Sequence, residues 1–132
     1  MSSHVPDDLL YTASHEWVRR NSDGSCTVGI TDHAQHALGD IVYVDPPAAG
    51  REVSAGDACA VVESVKAASD VYSPVAGTII AGNTDLASAS EKLSADPYGE
   101  GWLFRLQPSD VAALSGLLTP AAYRDSLAAC GD

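Results

Sequence analysis

At 132 residues the chain has room for one hydrophobic core, since a chain near 150 residues buries about 68–70% of its unfolded surface, and two catalytic domains are excluded. The 7 basic residues stand against 18 acidic ones, a formal charge of -11, and so acidic a surface repels nucleic-acid backbones and anionic membranes. Apolar residues at 45% supply an ordinary core and exclude disorder.

The first ten residues carry Asp7 and Asp8, no Lys or Arg, and no long apolar run. The expectation is a cytoplasmic protein that keeps Met1 and has neither signal sequence nor membrane span. Short alternating or β-branched runs follow at 16–19, 26–30, 41–44, 58–62, 70–72, 78–81 and 102–106, a spacing that predicts a sandwich or barrel. Asn21-Ser22-Asp23-Gly24-Ser25 has the composition of a hairpin turn, and Asp45-Pro46-Pro47 with Gly50 breaks the chain again. Thr31 or Asp32 can cap a short helix over 33–38 that Gly39 ends. The stretch 82–96 is polar and weakly patterned and reads as a long loop. From Pro108-Ser109-Asp110 a helical region places Val111, Leu114, Leu117 and Leu118 on one face, then restarts at Thr119-Pro120 with Tyr123 and Leu127.

Lys66 is one of two lysines and sits between two strand candidates, with Gly56 ten residues before it and Gly77 eleven after. This frame predicts a hairpin tip. An enzyme that modifies an amine on a folded protein needs it projecting from a rigid turn, and glycines at the strand ends would let the chain bend tightly there. The bland reading is a solvated turn lysine. Against it stand Glu63 and the exit Ser73-Pro74-Val75-Ala76-Gly77.

The run Glu63-Ser64-Val65-Lys66-Ala67, with Ser69-Asp70 and the 74–77 turn, resembles the lipoyl-lysine site of the glycine cleavage H-protein family. Four further words match in order and spacing: Ser14-His15-Glu16-Trp17, Val28-Gly29-Ile30-Thr31-Asp32-His33-Ala34-Gln35, Leu38-Gly39-Asp40, and Pro97-Tyr98 followed by Gly101-Trp102. The likeness spans roughly 5–123 and departs from the family pattern at Ser90, Lys92 and Ser94. It implies a mostly β barrel-sandwich hybrid with short helices and a C-terminal helix. The whole chain, 1–132, would be a single lipoyl-carrier domain, with a lipoyl hairpin at about 56–77 and a helical flank at about 109–130.

The resemblance further implies a carrier without a catalytic centre. Lipoate would be attached covalently at Lys66, with Glu63 in recognition of the modification site. The arm would carry the aminomethyl group of glycine from glycine decarboxylase to the aminomethyltransferase, with reoxidation by dihydrolipoyl dehydrogenase. Lipoate-attaching enzymes are the remaining partners, and a monomer is expected. Ser14, Glu16 and Asp70 are the groups able to hold the cationic end of a loaded arm.

Two other readings compete. A biotin carrier domain also displays a hairpin lysine, but usually between methionines, whereas Val65 and Ala67 flank Lys66 and Met1 is the only methionine. An unmodified acidic interaction module is the other. His33 and His36 at i, i+3 make only a weak metal pattern, even with Asp32 or Asp40 beside them. His15-Glu16 with Cys26 is a weak nucleophile pattern. The cysteines, Cys26, Cys59 and Cys130, are odd in number and widely spaced, and read as small core residues. Trp17, Tyr43, Trp102 and Phe104 read as core packing.

Overall fold

The computed structural model describes residues 5–129, so Met1 and Cys130 lie outside the described residues. In chain order the elements are β1 (Leu10–Tyr11), β2 (Glu16–Arg20), β3 (Cys26–Ile30), α1 (Asp32–Leu38), β4 (Ile41–Asp45), β5 (Glu52–Val53), β6 (Ala58–Ser64) and β7 (Ala68–Tyr72). They continue with β8 (Gly77–Gly82), α2 (Asp85–Ser88), α3 (Glu91–Ala95), β9 (Phe104–Pro108), a 3-10 turn at Val111–Gly116 and α4 (Pro120–Ala129). The strands make two antiparallel sheets, one in the order β1-β2-β3-β9-β8-β5 and the other β4-β6-β7. Every strand predicted from the sequence is present, the last shifted to begin at Phe104 rather than Trp102. The two-residue strands β1 and β5 are too short to show a period of two.

Alternation along β2 explains the layering. Trp17 and Val18 point to opposite faces of the sheet, yet both are fully buried. Val18 joins Val28, Val44, Val62, Val71, Ile79, Phe104 and Leu106 in the core between the sheets. Trp17 joins Leu9, Tyr11, Tyr123 and Leu127 in a second cluster under α4. The larger sheet is thus buried on both faces at this end, and the C-terminal helix covers the second face.

Two expectations are corrected. The stretch 82–96 is no loop, because Leu86 on α2 and Leu93 on α3 are both fully buried. Two apolar anchors seven positions apart hold two single turns of helix, and a periodicity search needs a longer pattern than that. The C-terminal helical face also breaks. Leu117 is extended at ψ 161°, and Leu118 pairs with Tyr11 through N–H···O bonds of 2.7 and 2.9 Å in a β-bridge before α4 begins. Leu114 of that predicted face is buried, but within the 3-10 turn.

Candidate functional site

Lys66 is exposed at the tip of the β6–β7 hairpin, and the tip is clamped by its own backbone and by Ser64. The Ser64 N–H donates to the Ala67 carbonyl at 2.7 Å. The Ser64 hydroxyl accepts from the Lys66 and Ala67 N–H groups at 3.3 and 3.1 Å. A further bond, Val65 N–H to the Asp40 carbonyl at 3.1 Å, ties the tip to the segment that follows α1. A serine hydroxyl that satisfies turn amides removes the need for glycine inside the turn.

The two framing glycines do different work. Gly56 has φ +86° with open space around it, the left-handed conformation that a side chain disfavours. Gly77 does not need that freedom. A Cβ there would collide with the Gln107 carbonyl oxygen on β9, so Gly77 permits close approach of two strands rather than the tight bend read from the sequence. Glu63 lies on β6, three positions before Lys66, half-buried and opposite Tyr43 and Ala68.

Beside the hairpin a cleft of about 290 Å³ is lined by Ser14, His15, Glu16, Ile30, His33, Ala34, Ala37, Leu38, Val62, Ser69, Asp70 and Val71. Ser14 and Glu16 meet Asp70 there, although more than fifty positions of chain separate them from it. Thr31 starts α1 as its N-cap, with its hydroxyl accepting from Ala34 N–H at 3.3 Å. Gly39 ends the helix at φ +82°, and its N–H donates to the Gln35 carbonyl. The helix turns Ala34, Ala37 and Leu38 into the cleft, an i, i+3, i+4 apolar face. A Cβ on Gly39 would stand 3.8 Å from Lys66 Cε, so the lysine stem passes the end of the helix that walls the cleft.

Glu16 is only 2% exposed, and its carboxylate is held rather than free. Thr12 and Ser14 hydroxyls donate to Oε1 at 2.6 and 2.5 Å, and the Tyr72 N–H lies 3.5 Å from Oε2. Asp70, two residues before Tyr72 on the exposed face of β7, lines the same cleft as Glu16. Because the single Ser14 proton is spent on Glu16, the lone pairs of its oxygen are left to accept from a cation. The site therefore offers two carboxylates and a hydroxyl acceptor beside an apolar wall, a set of acceptors suited to an ammonium group at the end of a flexible apolar chain.

His15 turns the chain into β2 at φ +72°, a conformation that costs a non-glycine residue about 1–2 kcal/mol. Its N–H donates to the Thr12 carbonyl at 3.1 Å and its own carbonyl accepts from Thr31 N–H at 3.0 Å. Its ring packs 4.5 Å from that of His33 and its Nδ1 lies 2.8 Å from the Tyr123 hydroxyl. Sequence reasoning misses the cleft-lining roles of His15, His33, Ala34 and Ala37. The apolar spacing on α1 is a signal for Ala34 and Ala37; His15 and His33 have no such local signal.

The other candidates resolve as follows. His36 Nε2 stands 3.6 Å from Asp32 Oδ1, and among the described residues no group of three or more His, Cys, Asp or Glu could hold a metal. Cys26 and Cys59 are buried core residues. Burial pushes both thiols up, Cys59 to about 11, which disfavours a reactive thiolate. Trp17 and Phe104 are core, and Trp102 is half-buried against the α4 cluster. Tyr43 departs from the expectation at 44% exposed, because a bulge between Ile41 and Tyr43 shifts β4 out of strict alternation.

Comparison with known proteins agrees with this geometry. The family description "Glycine cleavage H-protein" matches residues 9–129. The glycine cleavage system H protein of Halorhodospira halophila is 58% identical over 126 residues, covering 96% of this chain and 97% of that one. The H protein of an Azoarcus species is 56% identical over 126 residues, with 96% and 98% covered. A crystal structure of a glycine cleavage system H protein from Mycobacterium marinum superposes with a TM-score of 0.85 at 41% identity, over 94% of this chain and 99% of that one. With a family match across nearly all of both sheets and relatives matched almost end to end, the chain belongs to the glycine cleavage H-protein family, a carrier component of that system rather than a catalyst.

Proposed function

We propose that Lys66 is the residue that carries lipoate, and that the adjacent cleft shelters the far end of the arm between enzymes. The observation that carries this reading is the pairing of an exposed amine on a clamped tip with a neighbouring apolar cleft that ends in Ser14, Glu16 and Asp70. Lys92, by contrast, is half-buried on α3. Lipoate attached at Lys66 would supply a dithiolane that takes the aminomethyl group from glycine decarboxylase, yields it to the aminomethyltransferase and is reoxidised by dihydrolipoyl dehydrogenase.

The residues of the chain do the rest. Ser64 and the Asp40 carbonyl fix the tip so that the amine always leaves the domain in one direction. Gly39 leaves room for the lysine stem. Ala34, Ala37, Leu38 and Val62 exclude water from an arm laid in the cleft, while Glu16 and Asp70 hold its cationic end. Glu63 marks the modification site to the attaching enzyme. The whole chain works as one carrier domain around the hairpin at about 56–77, a monomer in the cytoplasm. Among the described residues no helix is long and apolar enough to cross a membrane.

Incubation with an activated lipoyl donor and a lipoate-attaching enzyme should add one lipoyl mass, and peptide mapping should place it on Lys66. Lys66→Arg should gain no mass and support no glycine cleavage, while its stability changes by less than about 0.5 kcal/mol. Activity retained in Lys66→Arg would overturn the assignment.

A further inference from the structure

Single exposed apolar side chains are ordinary on a protein surface, but three gather beside Lys66. Val65, adjacent to it in the turn, is 71% exposed, and Val42 and Tyr43 on β4 are 54% and 44% exposed. The bulge is the cause. Ile41 pairs with Ser64 and Tyr43 with Glu63, so Val42 is the extra residue. Two consecutive apolar side chains therefore stay outside, while Ile41 and Val44 on either side enter the core. The Ile41–Ser64 pairing and the Val65 N–H bond to the Asp40 carbonyl bring Val42, Tyr43 and Val65 to one place at the base of the tip. Exposed Asp40 and Asp45 flank it in sequence at the two ends of β4, and half-buried Glu63 pairs with Tyr43.

We propose that Val42, Tyr43 and Val65 form the seat of the enzyme that attaches lipoate, a proposal that rests on Lys66 being the lipoylated residue. Its step is amide formation. The neutral Lys66 Nζ attacks the carbonyl carbon of an activated lipoyl ester or thioester and a C–N bond forms. The bond to the leaving group breaks with its electron pair, and Nζ gives up a proton to solvent. An unmodified amine reaches only one side-chain length beyond the tip, so the attaching enzyme must close over Val65 and the strand beside it. Enzymes that act later meet the dithiolane at the end of a long arm and need not touch this patch. The acidic rim and the charge of -11 fit an enzyme face with an apolar depression ringed by Lys and Arg.

The test uses the full-length unmodified protein as acceptor for a purified lipoate-attaching enzyme. The double variant Tyr43→Ser with Val65→Ser should raise the acceptor KM by about tenfold, about 1.4 kcal/mol, with kcat within about twofold, because the reacting amine is unchanged. Ile80→Ser removes a similarly exposed apolar residue from β8 in the other sheet and should leave both constants unchanged. An unaltered KM in the double variant, or a loss confined to kcat, overturns the proposal. So does a KM defect that appears only in aminomethyl transfer by protein already carrying lipoate. Absence of modification at Lys66 in the unaltered protein would instead overturn the carrier assignment, and this proposal with it.

Discussion

The Tyr123 hydroxyl on α4 lies 2.8 Å from Nδ1 of His15, and it also reaches Thr31 Oγ1 at 2.7 Å. Two residues 108 positions apart thereby join the C-terminal helix to the turn that precedes Glu16 and to the cap of α1. Both of those segments line or wall the cleft. The helix is thus a brace on the rim of the site, and the stacked ring of Tyr11, 4.6 Å from Tyr123, fixes the brace in place.

Tyr123→Phe keeps that ring stack and removes the hydroxyl alone. Two buried or half-buried groups each lose one hydrogen-bond partner, and such losses cost about 1–3 kcal/mol. The urea midpoint should fall by a corresponding amount with an unchanged slope, because the core is intact.

Glu16→Gln and Asp70→Asn test the proposed shelter for a loaded arm. Glu16 is buried and aimed by two hydroxyls, so its contact with a cation is worth about 1.5–3 kcal/mol, whereas the exposed Asp70 contributes about 0–1 kcal/mol. Spontaneous breakdown of methylamine-loaded protein should therefore speed up by about tenfold or more in Glu16→Gln and by a few-fold at most in Asp70→Asn. Equal breakdown in all three proteins would remove both residues from the site.

Gly77→Ala should destabilise the fold although it adds only one methyl group. Its added methyl would meet the Gln107 carbonyl oxygen head-on, with the Pro108 Cα at 3.0 Å, and backbone cannot swing aside as a side chain can. Overpacking of this kind costs about 1–3 kcal/mol or more, readable as a fall in thermal midpoint.

Burial raises the Cys59 thiol to about 11 and the Tyr98 phenol to about 12, and raises Cys26 as well. These groups stay protonated in the folded state while their unfolded counterparts ionise from about pH 9 for cysteine and 10 for tyrosine. The unfolded state then binds fewer protons, so stability falls as pH rises. Stability should be flat from pH 7 to about 8.5 and decline between about pH 9 and 12, by up to about 1.4 kcal/mol per pH unit for each group. Cys59→Ala should lower the alkaline slope while costing some packing at neutral pH. An undiminished slope in that variant would show that Cys59 is not among the titrating groups.

The acidic charge, the strand positions, the capped helix at 31–39 and the lysine between two strands could all be determined from the sequence, because each rests on local periodicity or on one residue type beside its neighbours. The motif words carried the family likeness in the same way. Tertiary structure alone decided that Ser14, Glu16 and Asp70 converge, since strand register and the turn at His15 set that meeting. It likewise turned Tyr43 outward through one bulge, held 82–96 as two helical turns on Leu86 and Leu93, and pulled Leu118 out of a predicted helix into a bridge with Tyr11. In each of these cases a partner distant in sequence satisfies a backbone or buries a side chain, and a distant partner leaves no trace in local pattern.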